Sequence, residues 1–329
     1  MEKIIIEIKK YGVVYFFNHI RYKITKNKKY KIGMENIKYK YIKSLNRNKL
    51  KEEISTSYKL ATKDTMDWKK PKNFNQKIQW LKLYDTTSIK TKLADKYLVK
   101  DWVKERLNSD KYIVKTIGCY KNSKEIDWNE LPDKFCLKAN HGSGMNIVVK
   151  DKSKLNIGKV SKIMDGWMKT PFGTEAYELH YLDIPRRIIA EEYIEQEDGD
   201  LIDYKVHCFN GKPEIIQVIG DRDLNNHTAK EAFFDTNWNE NDFMYHTYDS
   251  YEKAPNKPEQ FNEMLNIAKK LSNEFIYVRV DLYIVKNQIK FGEMTFTPAC
   301  GYGKWDNIKN NELVGDMIKL PKTNNQKYD

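Results

Sequence analysis

Three observations predict an α+β chain. Apolar residues recur at spacings of three and four over 68–108, the mark of amphipathic helices. Two stretches, 203–220 and 275–296, read as β-hairpins, and a helix with one apolar face fits between them at about 258–273. The chain has 329 residues, 40% hydrophobic and 13% aromatic, which excludes wholesale disorder and allows two or three packed subdomains.

The first twenty residues, MEKIIIEIKKYGVVYFFNHI, are apolar but broken by Glu7, Lys9 and Lys10. They carry no small-residue cleavage site and are read as retained rather than as a signal peptide. No apolar run approaches the ~20 residues needed to span a bilayer. The net charge of +12 is local: twelve Lys or Arg face the single acid Glu35 between Arg21 and Lys51, and 52–329 sum to about zero. Tyrosines interleaved in this basic arm could stack on bases or sit at a lipid interface. Three readings stay open. They are a solvated basic extension; contact of residues 1–51 with a membrane surface or polyanion, each basic residue near an anionic leaflet adding ~1 kcal/mol; and nucleic acid, the least favoured partner. Cys119, Cys136, Cys208 and Cys300 are scattered without a C-x-x-C pair, as expected of reduced thiols in a cytoplasmic protein, and no zinc site is expected.

Within 68–108, Ile78 and Leu81, then Leu93, Tyr97, Leu98 and Trp102, mark helices, with a break and cap at 85–88. Short β-like runs follow at 111–118, 134–138 and 146–150, then a helix at about 158–170 and a buried strand with a polar exit at 186–195. Asn210-Gly211 and Lys286-Asn287 supply the two hairpin turns. Phe261, Leu265, Ala268 and Leu271 form the apolar face of the intervening helix.

Several polar residues stand where apolar ones would be expected. Lys138, His141, Gly142, Ser143 and Gly144 follow a strand; two glycines around a serine let backbone N–H groups lie over phosphate oxygens, although such loops are also ordinary hairpin turns. Asp281 and Glu293 lie inside apolar runs on strands that should pair, where carboxylates enter to bind a cation or an arginine. Magnesium with phosphate oxygens suits them, and so does simple neutralisation by Arg279. Glu191, Glu192, Tyr193 and Ile194 offer polar groups beside apolar walls, as an adenine–ribose unit needs, or a plain strand exit. Asp203 and Lys205 share one strand face; His207, one step off it, is placed in the core or on the opposite face. His141 and His180 are candidate substrate contacts, and 171–187 reads as a lid or an acceptor contact.

The order of these features, with the phrases NFNQKIQWLKLYD, LADKYLVKDWV, LPDKFCLKANHGSGMN, IIAEEYI, DYKVHCFNGKP and VRVDLYI…FGEMTFTPACG, resembles the TupA-like family of the ATP-grasp superfamily, associated with teichuronopeptide and surface-polysaccharide synthesis. The resemblance covers roughly 70–305. It implies an ATP-grasp fold, two α+β subdomains clamping ATP, preceded by a helical pre-ATP-grasp region. The boundaries are a basic arm at 1–60, the pre-ATP-grasp region at 61–133, subdomain A at 134–190, subdomain B at 191–310 and a tail at 311–329. It further implies that Lys100 and Lys138 touch ATP phosphates, that the Gly142–Gly144 loop closes over them, and that Glu191, Glu192, Tyr193 and Ile194 line the adenine pocket. Asp203 would approach the ribose, Lys205 the transferring phosphate and Arg279 the developing negative charge. Asp281 and Glu293 would hold Mg2+, with Thr295 where many relatives carry the asparagine of a Glu-x-Asn motif. A hydroxyl is a weaker magnesium ligand than an amide oxygen, so one or two ions stay open.

The implied activity is a carboxylate–amine ligase acting through an acyl phosphate. It would join an amino acid or amine to an anionic polysaccharide or lipid-linked glycan acceptor, in the cytoplasm or on the inner face of its membrane. Alternatives are a sugar kinase on the same fold, a glycosyltransferase using Asp221-Arg222-Asp223 as a metal pair although these residues read as a turn, and a binding module without turnover.

Overall fold

Backbone chemistry at two turns sets the larger sheet: Asn210 and Gly211 take φ of 49° and 79°, and Lys286 and Asn287 take 49° and 59°. These left-handed values are the ones a two-residue hairpin turn uses, and asparagine and glycine adopt them at least cost. The computed structural model describes residues 8–194, 201–223, 226, 228–245, 247–305 and 307–321. In chain order the helices are α1 (Val13–Thr25), α2 (Lys28–Ser44), α3 (Arg47–Thr62), α4 (Phe74–Tyr84), α5 (Ser88–Ala94), α6 (Leu98–Leu107), α7 (Ile157–Lys169), α8 (Leu179–Leu182), α9 (Phe261–Ser272) and α10 (Ile308–Met317). The strands are β1 (Thr116–Tyr120), β2 (Phe135–Ala139), β3 (Asn146–Val149), β4 (Ile188–Glu192) and β5 (Asp203–Phe209), then β6 (Lys212–Asp223), β7 (Thr228–Phe234), β8 (Asp249–Ser250), β9 (Tyr277–Val285) and β10 (Gln288–Thr295). Helices and mostly antiparallel strands make the chain α+β, as its periodicities predict.

The chain divides into two compact units. The first comprises Met1–Ile54, Asp95–Tyr97 and Lys115–Tyr193 and contains the four-stranded sheet β1-β4-β2-β3. Phe135, Leu137, Ile188 and Ala190 point to one side of it and bury Val160 and Met164 of α7. Each such side chain withdrawn from water contributes roughly 1.5–3 kcal/mol. Cys136, Lys138, Ile189 and Glu191 point to the other side by the strict alternation of a strand. The basic N-terminal stretch is helical here, not a solvated extension: Tyr15, Met34, Glu35, Lys38 and Ile42 of α1 and α2 are buried. Residues 1–7 lie outside the described residues.

The second unit comprises Ser55–Ala94, Leu98–Val114 and Ile194–Asp329 and contains the six-stranded sheet β10-β9-β5-β6-β7-β8. Tyr204, Val206, Cys208, Val278, Val280 and Leu282 face one side and pack under α9 and α6. On the opposite side Phe209, Ile215, Phe233 and Tyr277 meet Phe74, Ile78 and Trp80 of α4 over part of the surface. The rest of that side is polar, with charged residues gathered on β5, β9 and β10.

Three local expectations shift. The run at 111–118 begins its strand only at Thr116, because Tyr112 belongs to the other sheet's margin, where its carbonyl accepts the Phe291 N–H at 2.7 Å. The strand predicted at 186–195 spans Ile188–Glu192, bounded by its short partners, and residue 195 lies outside the described residues. Asp221-Arg222-Asp223 is no turn. It is the bulged end of β6, with Asp221 at φ 49°. Residues 322–329 of the tail also lie outside the described residues. Among the described residues no helix is long and apolar enough to cross a membrane.

Candidate active site: two charged sheet faces

In the first unit the polar face of the four-stranded sheet centres on a cross-strand pair. Cys136 of β2 is registered against Glu191 of β4, so Lys138, two residues on, lies diagonally across and its Nζ sits 2.7 Å from Glu191 Oε2. The Glu191 side chain is 5% exposed and that of Lys138 31%. Burial pushes the Cys136 thiol pKa upward, so it stays protonated. Glu192 points to solvent, 3.6 Å from Lys115, and Tyr193 and Ile194 are half-buried at the strand exit.

The loop after β2 is closed by Ala139 N–H on the Met145 carbonyl at 2.9 Å. Its base is fixed by a residue that sequence reasoning left without a role. Buried Asn140 donates to Asp95 at 2.8 Å and to the Pro185 carbonyl at 2.9 Å, and accepts from the Arg187 N–H at 2.7 Å. The only sequence signal was an amide set between a strand and two glycines. Gly144 takes φ 69°, and a Cβ on Gly142 would come within 2.9 Å of the Phe172 ring, so both glycines are required by the backbone or its neighbour. Ser143 and Gly144 are exposed. His141 is not: its Nε2 lies 3.2 Å from the Thr170 carbonyl, and burial, helped by Arg186 and Lys96, lowers its pKa to about 4. The imidazole is therefore neutral at pH 7. His180 is also buried, its ring 4.2 Å from that of Tyr181. The 171–187 segment is tied to the N-terminal helices: Thr174 donates to Glu35, Lys38 reaches Glu175 at 2.6 Å, and Tyr177 donates to Glu53 at 2.9 Å.

In the second unit the charged face gathers Asp203 and Lys205 from β5, Arg279 and Asp281 from β9, and Glu293 and Thr295 from β10. Asp281 is registered against both Lys205 and Glu293, which puts these three on one row across neighbouring strands. Lys205 Nζ lies 2.7 Å from Asp281 Oδ2, and Arg279 grips both Asp281 oxygens at 2.7 Å through Nε and Nη2. The same guanidinium donates to Thr295 Oγ1 at 3.1 Å and stands 3.7 Å from Glu293. Burial works against the Arg279 charge, but Asp281 outweighs it and, with Glu293, holds the pKa well above the ordinary range. The neutralisation expected of Arg279 is thus present, with Lys205 as a second cation. Asp203 lies 3.7 Å from Lys205 and also accepts from Arg222, which joins β6 to this cluster.

His207 lies on the same face, farther along β5, and is fully buried with Nδ1 2.7 Å from the Tyr277 hydroxyl. Its burial matches the expectation, but its face does not: two residues beyond Lys205, it shares the Asp203/Lys205 face instead of lying one step off it. Burial, then Arg279 and Lys205, depress its pKa well below 6.5. Sequence reasoning missed Gln217 and Glu231, which are buried and joined at 2.8 Å, Glu231 also accepting from Thr247 and Tyr248 N–H groups. Gln217 carried a signal, a polar position inside the apolar run IIQVI of β6, whereas Glu231 stands beside Lys230 in β7 and carried none. Lys100 lies on α6 with its Nζ 2.8 Å from the Val114 carbonyl.

A family model for TupA-like ATP-grasp proteins matches residues 76–319, about three quarters of the sequence. The chain belongs to the TupA-like ATP-grasp family. Membership places this TupA-like chain among the ATP-grasp enzymes. Solved structures similar to it include a D-alanine–D-alanine ligase from Bacillus anthracis (18% identity, 75% of this chain and 69% of that one, TM-score 0.40). Others are the ATP-grasp ligase PsnB with its minimal precursor (8%, 73% and 68%, 0.41) and D-alanyl-alanine synthetase A from Vibrio cholerae (11%, 74% and 66%, 0.41). No curated protein matches the TupA-like chain.

Proposed function

We propose that this protein is an ATP- and magnesium-dependent carboxylate–amine ligase that attaches an amino acid or amine to a uronic acid of a capsular or surface polysaccharide, or of its lipid-linked precursor. The observation that carries the reading is the row Lys205–Asp281–Glu293 with Arg279 clasping Asp281. Phosphoryl transfer needs little covalent help from a protein; it needs cations and a metal held where charge develops.

In the first unit, Lys138 and the Gly142–Gly144 loop would hold phosphate oxygens, with the exposed Ser143 at the loop tip, while Glu191, Glu192, Tyr193 and Ile194 would line the adenine. His141 would contribute only through its backbone, since its ring is buried. In the second unit, Lys100 would hold a phosphate, Asp203 the ribose, and Lys205 and Arg279 the transferring group. The donor set fits magnesium: Asp281 and Glu293 are hard oxygen ligands on adjoining strands, with Thr295 Oγ1 3.3 Å from Glu293. No group of three or more His, Cys, Asp or Glu poised for a metal occurs among the described residues, so phosphate oxygens and water would complete the shell. When bound, the ion would neutralise phosphate charge. Asp281 would then exchange Arg279 and Lys205 for the metal, freeing both cations for phosphate oxygens.

The chemistry balances in two steps. A carboxylate oxygen of the uronic acid attacks the γ-phosphorus, the bond to the β-phosphate oxygen breaks, and ADP leaves. The amine then attacks the acyl carbon, the carbon–oxygen bond breaks, phosphate leaves and the amine loses a proton. A reaction with ATP, Mg2+, a uronate and an amino acid should release ADP and phosphate in a carboxylate-dependent manner. Release of AMP overturns the reading. Thr295, in place of an amide ligand and turned to Arg279, favours a second reading, a kinase acting on a sugar hydroxyl. Hydroxylamine separates them, because an acyl phosphate alone gives a hydroxamate. A cytoplasmic position beside the inner membrane face, where lipid-linked glycans are assembled, agrees with either reading.

A further inference from the structure

Helix α1 has its two faces the wrong way round for a helix of a water-surrounded protein. Tyr15 is 5% exposed and packs toward α2, 5.8 Å from Lys38, and Asn18 lies so near Gly33 that a Cβ there would come within 2.9 Å. The opposite face carries Val13, Phe17, Ile20 and Ile24 at spacings of four, three and four, one continuous stripe along the helix. Their exposures are 54%, 52%, 38% and 76%, so four large apolar side chains stand in water side by side. Scattered exposed hydrophobes need no explanation, but an aligned stripe does.

What surrounds the stripe identifies its partner. Arg21 and Lys23 flank it on either side, and Lys26, Lys28, Lys29 and Lys31 follow, all exposed. No Asp or Glu occurs from residue 8 to 34, and the next acid along the chain, Glu35, is buried. A second copy of this helix would bring like-charged flanks together. A polyanionic glycan would satisfy the charges but offer nothing to the phenyl and alkyl groups. An anionic bilayer supplies both, with headgroup phosphates at the flanks and acyl chains at the stripe.

We propose that α1 is a membrane-docking helix that lies in the plane of an anionic bilayer, with Val13, Phe17, Ile20 and Ile24 in the acyl boundary and Arg21, Lys23, Lys28 and Lys29 at the headgroups. The inference is independent of the ligase reading. The helix is held to the unit by its buried face, so docking needs no unfolding.

The test is co-sedimentation of the full-length protein with vesicles of phosphatidylcholine alone and of phosphatidylcholine with 40 mol% phosphatidylglycerol. Binding to the anionic vesicles only is expected. The double variant Phe17→Asp/Ile24→Asp, with an unchanged unfolding midpoint because both positions are exposed, should lower the partition constant more than about tenfold. Lys23→Glu/Lys28→Glu should lower it and flatten its salt dependence. Equal binding to both vesicle types, no binding to either, or binding unaltered by the apolar substitutions overturns the proposal. So does a lipid-free dimer that Phe17→Asp/Ile24→Asp converts to monomer, which would assign the stripe to a second copy of the chain.

Discussion

The two charged sheet faces solve the same electrostatic problem in different ways. On the four-stranded sheet one cation meets one carboxylate, and Lys138 keeps 31% of its side chain in reach of water. On the six-stranded sheet two cations share Asp281, whose side chain is 2% exposed, and the second carboxylate, Glu293, stands 3.7 Å from Arg279. The first pair can lose a partner and be rescued by solvent. The second cluster cannot, because removing its central carboxylate leaves two cations in a buried site.

The sharpest way to break this comparison is Asp281→Ala. It should lower stability by about 3–5 kcal/mol, as loss of one partner in a buried ion cluster does, and abolish ATP turnover. Urea midpoints and ADP release measure the two effects, and a stable, active variant would remove the distinction between the faces. Arg279→Met asks whether the cation serves catalysis beyond stability. Lys205 still neutralises Asp281 in that variant, so the midpoint should fall less than in Asp281→Ala while kcat drops about 10²–10³-fold, the usual effect of losing a positioned charge donor.

Acid titration probes the first unit. The His141 pKa is depressed from 6.5 to about 4 by burial. Its neutral form is the one the fold binds, so its stabilisation is complete above pH 6.5 and is lost as pH falls from 6.5 through 4. At pH 5 the loss is on the order of 2 kcal/mol. His207 is depressed in the same direction, so the difference between wild type and His141→Asn isolates the loop residue: the variant should lose less stability between pH 7 and pH 5. The smallest effect is expected from Glu191→Gln. Half-solvated Lys138 can turn to water, which limits the cost to roughly 1 kcal/mol, the range of an exposed pair, while KM for ATP should change if the pair lines the nucleotide. A loss comparable to Asp281→Ala would erase the contrast.

The legible parts of the fold were those written locally. The two hairpins follow from Asn210-Gly211 and Lys286-Asn287, and α9 from its apolar spacing. Asp281 and Glu293 were visible because a carboxylate in an apolar run is an anomaly in one dimension. What closes around them was not. That Lys205 rather than Asp203 meets Asp281 depends on strand register across 76 residues, and that Arg222 reaches Asp203 depends on a bulge in β6. Asn140 was unreadable for the same reason, since its partners Asp95, Pro185 and Arg187 are each about 45 residues away. The N-terminal charge was counted correctly but its shape was missed. Composition records that lysines are abundant, and only the helix shows Tyr15 turned inward and Phe17 turned out.

The ligase account rests on the passage of a carboxylate oxygen through phosphate, and isotope transfer reads that directly. With glucuronate carrying 18O at both carboxyl oxygens, ATP, Mg2+ and an amino acid as the amine donor, each released phosphate should contain one 18O atom and amide should form in equal amount. Unlabelled phosphate, or AMP in place of ADP, would contradict it.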